Sequence, residues 1–217
     1  MKLVRLLAFL AIGVVLASDD GRAQAVQDAG VSTVAADVKA WSFYGSVLTY
    51  LLADERNYAQ PTFTADRDRL HLEARYNYEG QRTGSAWLGY NFSDGDDVEF
   101  ALTPMFGVVF GDASGIAPGY KASLSWRKLA LDSESEYVFD AHESSDNFFY
   151  TWSEFGWAPL EWLRVGLAVQ HTKAYESEFE IQRGMLVGIS YKRASFTTYI
   201  FNPDASRPTV ILGISVR

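Results

Sequence analysis

The sequence predicts an all-β chain closed into an antiparallel transmembrane barrel of about twelve strands, with ten as the alternative. Three observations carry this. Short segments alternate apolar and polar residues with a period of two, they recur from Trp41 almost to Arg217, and no run approaches the ~18 apolar residues of a membrane-crossing helix. Between Arg69 and Glu79, Leu70, Leu72, Ala74, Tyr76 and Tyr78 fall on one side, with His71, Glu73, Arg75, Asn77 and Glu79 on the other. Few helical stretches remain to cover such faces, so the apolar side is expected to turn outward into lipid. The alternative is a soluble sandwich or lipocalin-like barrel, with the apolar faces inward and His71, Glu73 and Arg75 outside.

The first residues, Met1-Lys2-Leu3-Val4-Arg5, are basic, and an apolar run of about a dozen residues, Leu6 to Ala17, follows. That is the length of a signal-peptide core and too short to span a bilayer. Ala23-Gln24-Ala25 supplies a cleavage pattern, with Val15-Leu16-Ala17 as a second; a buried N-terminal helix is the competing reading. Residues 1–25 are therefore expected to be a signal peptide, 26–40 a small, polar periplasmic lead-in, and 41–217 the barrel.

Strands are expected near 41–53, 58–65, 69–79, 83–93, 97–111, 119–127, 129–140, 147–157, 162–174, 179–192, 194–202 and 208–217. In the fifth, Val98, Phe100, Leu102, Pro104, Phe106, Val108 and Phe110 oppose Glu99, Thr103, Gly107 and Gly111. The sixth sets Tyr120, Ala122, Leu124 and Trp126 against Lys121, Ser123, Ser125 and Arg127. The ninth, tenth and last behave alike, with Arg164 and Gln170, then Gln182, on the polar faces. Pro104 has no amide donor, so a bulge or kink is expected there. At Arg127-Lys128 the apolar phase slips by one residue, which marks a tight turn or a bulge. Misreading both this join and the Pro61-containing segment 58–65 would reduce twelve strands to ten.

With both termini periplasmic, the inner connections are short: Ala65–Arg69, Ser93–Asp97, Arg127-Lys128, Ala158–Trp162 and Arg193-Ala194. The outer loops, Asp54–Asn57, Glu79–Gly84, Asp112–Gly119, Asp140–Asn147, Ala174–Glu178 and Asn202–Pro208, are longer and often acidic or Gly/Pro-rich. Aromatic residues make up 15% of the chain. Trp41, Tyr44, Tyr58, Tyr90, Phe92, Tyr120, Trp126, Phe148, Tyr150, Trp157, Trp162, Tyr175 and Tyr191 lie toward strand ends, where rings anchor at headgroup level.

A net charge of −8 argues against a nucleic-acid partner and leaves no basic segment of the kind that seeks anionic lipid. Mean hydropathy is −0.07, as suits a barrel in which half of each strand faces a polar interior. Cysteine is absent, so disulfide and thiol chemistry are excluded from the sequence given.

These features resemble those of Gram-negative outer-membrane β-barrels over essentially all of 41–217. In size and strand count the chain is similar, in architecture only, to the monomeric twelve-stranded oligogalacturonate and sialic-acid porins. The resemblance implies outer-membrane lipid and lipopolysaccharide as surroundings. Those channels carry arginine tracks on the inner wall, whereas this wall mixes Arg75, Lys121, Arg127 and Arg164 with Glu73, Glu99, Asp132, Glu134 and Glu136. Such barrels usually favour a C-terminal phenylalanine; this sequence closes on Ser215-Val216-Arg217.

Catalytic candidates are sparse. His142-Glu143-Ser144-Ser145-Asp146 is superficially similar to the His-x-Ser-Asn-Gly stretch of outer-membrane phospholipase A, but Ser145 and Asp146 replace Asn and Gly, and an acidic external loop is expected. His71 and His171 have no further metal ligands at local spacing and read as wall residues. No nucleotide-binding fingerprint is present, and no enzyme activity, metal or cofactor is expected. The interior charges must be either wet or densely paired. Small inward residues, Gly89, Gly107, Gly166, Gly184, Gly188, Ser190 and Gly213, favour a narrow pore. The expected function is passive passage of small hydrophilic solutes or ions past His71, Glu73, Arg75, Glu99, Lys121, Arg127, Asp132, Glu134, Glu136, Arg164, Gln170 and Gln182. A non-conducting structural or adhesive barrel is the alternative, with a lipid-modifying hydrolase third. The oligomeric state is left open.

Overall fold

The computed structural model describes residues 40–53, 55–171 and 181–217. The expected signal peptide and nearly all of the lead-in, together with Tyr175 and the 174–178 loop, lie outside those residues. Thirteen strand segments are present among the described residues: β1 Ser42–Leu51, β2 Tyr58–Arg67, β3 Leu70–Tyr76, β4 Thr83–Tyr90, β5 Phe92–Asp94, β6 Val98–Gly111, β7 Gly115–Trp126, β8 Leu129–Asp140, β9 Phe148–Leu160, β10 Leu163–His171, β11 Gln182–Tyr191, β12 Ala194–Phe201 and β13 Thr209–Val216. Pairing is antiparallel throughout, and β13 returns to β1. Both β4 and β5 pair with β6, so they are two pieces of one stave and the closed barrel has twelve. Closure removes the sheet edge, whose unpaired amides would be costly in hydrocarbon.

Pro104 explains the division of that stave. Met105 pairs with Gly89 and Leu102 with Phe92, so the register is unbroken, while the ladder lapses opposite Pro104. The Asn91 amide turns the other way and donates to Arg69 O at 2.7 Å. The expected bulge is therefore an interrupted ladder without a register shift, because a proline withdraws one donor without adding a residue. A register shift does occur between β9 and β10, next to Pro159. Arg127-Lys128 is a two-residue turn with φ 54° at Arg127, and β2 is a full strand of ten residues, so the count is twelve rather than ten.

The exterior is apolar. Leu88, Leu167 and Phe106 are 58%, 59% and 49% exposed, whereas Glu73 and Arg75 are 4% and 6% exposed inside. The soluble alternative requires the reverse. One mid-wall strip departs from this pattern, where Ser133 meets Ser153 at 2.9 Å and Ser135 donates to Thr151 at 2.8 Å on the outer face. Paired hydroxyls avoid the desolvation cost that single ones would carry there.

The two ends differ. At one, two-residue turns join β2–β3, β7–β8, β9–β10 and β11–β12, a short turn joins β5–β6, and β1 begins and β13 ends. We call this the turn end and the opposite one the loop end. The Asp112–Gly119 loop is shorter than expected, because β7 already starts at Gly115 and only three residues remain between strands.

Candidate functional site: the barrel interior

Alternation along β3 brings His71, Glu73 and Arg75 to the inner wall in one column. Each finds a charged partner. His71 Nδ1 lies 2.7 Å from Asp66 Oδ1, and its Nε2 lies 3.1 Å from Glu73 Oε2. Glu73 accepts from Arg75 Nε and from Lys121 Nζ of β7. Arg75 Nη1 donates to Glu136 Oε2 at 2.7 Å and lies 3.9 Å from Glu79 Oε1. Its guanidinium also lies over two rings, Tyr78 at 4.2 Å and Trp87 at 4.6 Å. A charge so deeply placed is tolerable only with this density of partners.

These contacts cross the lumen. β4, β6 and β7 lie between β3 and β8 along the wall, yet Arg75 and Glu136 touch. Tyr78 OH similarly donates to Tyr150 OH of β9 at 2.9 Å. Tyr78 reaches inward because Asn77, at φ 59°, ends the β3 alternation and turns both Tyr78 and Glu79 into the barrel. Tyr78 therefore leaves the outer apolar face on which alternation placed it.

Large rings complete the filling of the loop half. Tyr50 stacks on Tyr58 at 4.6 Å, while Trp152 meets Tyr199 at 5.2 Å and Phe201 at 5.3 Å. Gly107 and Gly184 seat such groups instead of leaving space, whereas Gly188 and Gly213 line the cavity toward the turn end. A Cβ on Gly107 would lie 2.5 Å from the Trp87 ring, and one on Gly184 would lie 2.8 Å from Phe201. The expected room at these positions is already occupied.

Toward the turn end the interior opens into a cavity of about 860 Å³. Its walls include Glu73, Lys121, Asp132, Glu134, Glu154 and Arg164, and Arg193 and Arg217 border it at the turn end, as does Lys192, whose ammonium lies over the outward Tyr191 ring. Arg164 bridges Glu154 Oε2 at 2.8 Å and Asp132 Oδ2 at 2.9 Å, with its guanidinium lying against Gly156. Glu154 also accepts from Trp152 Nε1 and Tyr199 OH, each at 2.8 Å. This second network joins the cavity floor to the aromatic filling.

Of the anticipated wall residues, Glu73, Lys121, Asp132, Glu134 and Arg164 face the cavity. His71, Arg75, Glu136 and Gln170 are buried, and Gln170 Nε2 donates to Gln182 Oε1 at 2.6 Å toward the loop end. Glu99 is exposed near the turn end of β6. Arg127 is placed otherwise than expected: it occupies a turn, and its guanidinium lies 5.0 Å above the outward Trp126 ring. Alternation cannot be extended through a two-residue turn, where backbone direction reverses. Among the expected anchoring rings, Phe148 and Tyr150 are buried inside, Tyr58 stacks on inward Tyr50, and Tyr44 lines the cavity. Glu79, Glu154 and Tyr78 are interior groups that strand-by-strand reading did not single out as lining.

In the loop that carries His142, Ser144–Asp146 forms a short 3-10 helix. The His142 ring contacts Ser114 Oγ at 3.2 Å through Nδ1, the same nitrogen that lies 3.8 Å from Asp140. A serine triad needs the nucleophile and the carboxylate on opposite ring nitrogens, which this arrangement does not provide.

No protein-family profile matches the chain, and no curated protein matches it in sequence. Solved structures do match in shape. KdgM porin aligns with a TM-score of 0.56 at 9% identity, covering 80% of this chain and 98% of that one. KdgM porin in complex with disordered oligogalacturonate gives 0.58 at 9% identity, with the same coverage. The Acinetobacter baumannii outer membrane protein Omp33 gives 0.47 at 10% identity, covering 82% of this chain and 98% of that chain. At such identities the likeness establishes the fold: the chain is a closed twelve-stranded barrel of the kind found in outer-membrane porins.

Proposed function

We propose that this protein is an outer-membrane channel for small hydrophilic solutes, closed in the conformation described by the side chains around Arg75 and open when they withdraw. The carrying observation is the cavity of about 860 Å³, lined by ionisable and hydroxyl side chains inside a lipid-compatible exterior. That volume suits a small-molecule solute, and its wall of mixed charge, in which Arg164 pairs with Asp132 and Glu154, is compatible with contact with water or ions. The filled loop half supports a gate: the crossing contacts of Arg75 with Glu136 and of Tyr78 with Tyr150 would have to part for passage.

Planar-bilayer recording tests this reading. Wild-type protein is expected to give small, brief, salt-dependent openings, and Tyr78→Ala with Tyr150→Ala to give larger and longer ones. If correctly folded wild-type and double-variant barrels both stay silent, the channel reading fails. A non-conducting structural barrel then becomes the better account, favoured by the same cross-lumen contacts.

A further inference from the structure

No single segment of the chain is rich in cations, yet the fold gathers them at the turn end. Arg67 stands 5.8 Å above the Trp41 ring, Arg69 5.7 Å above Tyr90, Arg127 5.0 Å above Trp126 and Lys192 5.3 Å above Tyr191. All four rings are at least 40% exposed on the outer face. Arg69 Nη1 also donates to Tyr90 OH at 2.9 Å, which fixes that pair. The cations come from separate turns, β2–β3, β7–β8 and β11–β12, so they are spread around the barrel instead of forming one patch.

The pairing has a vertical order. Outward rings at a barrel's end lie at headgroup level, and a cation stacked on each from the adjoining turn lies at or just beyond the phosphates. We propose that this collar binds the phosphodiester groups of anionic glycerophospholipids in the leaflet at the turn end. Charge complementarity selects that occupant: the indole and phenol rings cover the acyl–glycerol boundary, and the guanidinium and ammonium groups meet the phosphate. The collar has gaps at the β5–β6 turn, where Asp94, Asp96 and Asp97 would repel a phosphate, and at the β9–β10 turn, which carries Glu161. Asp68 shares the β2–β3 turn with Arg69, which makes Arg127 and Lys192 the less opposed contacts.

The inference rests on the barrel standing in a bilayer and is independent of solute passage, so its test uses lipid retention and no conductance. Native mass spectrometry of the full chain in detergent, with added phosphatidylglycerol or phosphatidylcholine of matched acyl chains, reads the preference directly. More phosphatidylglycerol is expected to remain bound, and to higher activation energy. One cation near a membrane surface is worth roughly a fivefold preference, so Arg67→Gln/Arg69→Gln/Arg127→Gln is expected to abolish most of it. Should that triple variant misfold, Arg127→Gln alone is expected to reduce retention severalfold. Equal retention of the two lipids by the wild type would overturn the proposal, as would a folded triple variant with undiminished preference. Displacement of phosphatidylglycerol by inorganic phosphate would also overturn it, by assigning the cations to free phosphate.

Discussion

Arg75 on β3 and Glu136 on β8 meet at 2.7 Å across the lumen, although β4, β6 and β7 separate their strands along the wall. The contact ties two walls of the cylinder that are not neighbours, at the level where the cavity gives way to packed rings. Arg75→Met would leave Glu73, Glu79 and Glu136 without their shared cation, and a broken buried pair costs about 3–5 kcal/mol. Urea unfolding in detergent micelles is expected to show a loss of that order. Glu136→Gln should cost less, because the amide oxygen still accepts from Arg75. An Arg75→Met protein as resistant as the wild type would contradict the assigned role.

Glycines offer a matched pair of substitutions. Gly107→Ala drives a methyl to 2.5 Å from a Trp87 ring held beneath Arg75, so an overpacking cost of about 1–3 kcal/mol is expected. Gly45 has nothing within 4 Å of its added carbon, and Gly45→Ala is expected to change stability by less than about 0.5 kcal/mol. The same unfolding assay compares them.

Arg164 holds Glu154 and Asp132 at 2.8 and 2.9 Å on the cavity wall. Arg164→Gln removes the positive member of this cluster and leaves a more acidic vestibule. Reversal potentials under a salt gradient are expected to move toward cation selectivity. A shift toward anions would contradict the proposed path.

At the loop end Asp204 pairs with Arg183 at 2.9 Å. A hydrogen bond to its own backbone, then the Arg183 guanidinium, holds its carboxyl below the usual aspartate range. With a depressed folded-state value, the pair's contribution is present above the unfolded-state value and fades as pH falls through the folded one. Side-chain carbonyl NMR is expected to find Asp204 titrating more acidic than a free aspartate, and Arg183→Gln to recover part of the difference.

Much of the fold was legible because a period-two pattern survives wherever the backbone stays extended. Leu167 and Val169 against Ala168 and Gln170 show it on β10. Legibility ended where the backbone left that regime. Asn77 adopts a positive φ, and Tyr78 changes side; Arg127 sits in a turn, and its charge leaves the wall. The interior filling was hidden for another reason: whether Gly107 is a gap or a seat depends on Trp87 of a neighbouring stave, and local sequence does not encode that partner. The basic collar was likewise invisible, because its members are far apart in sequence and only barrel closure brings them to one end.

The central claim is that side chains such as Leu88 and Leu167 face acyl chains while Ser123 and Thr197 face water. The sequence contains no cysteine, so single-cysteine variants can be spin-labelled without background. In lipid vesicles, labels at Leu88→Cys and Leu167→Cys are expected to relax faster with oxygen than with a water-soluble nickel chelate, and those at Ser123→Cys and Thr197→Cys to do the opposite. Nickel access on the leucine face together with oxygen access on the serine and threonine face would contradict the account.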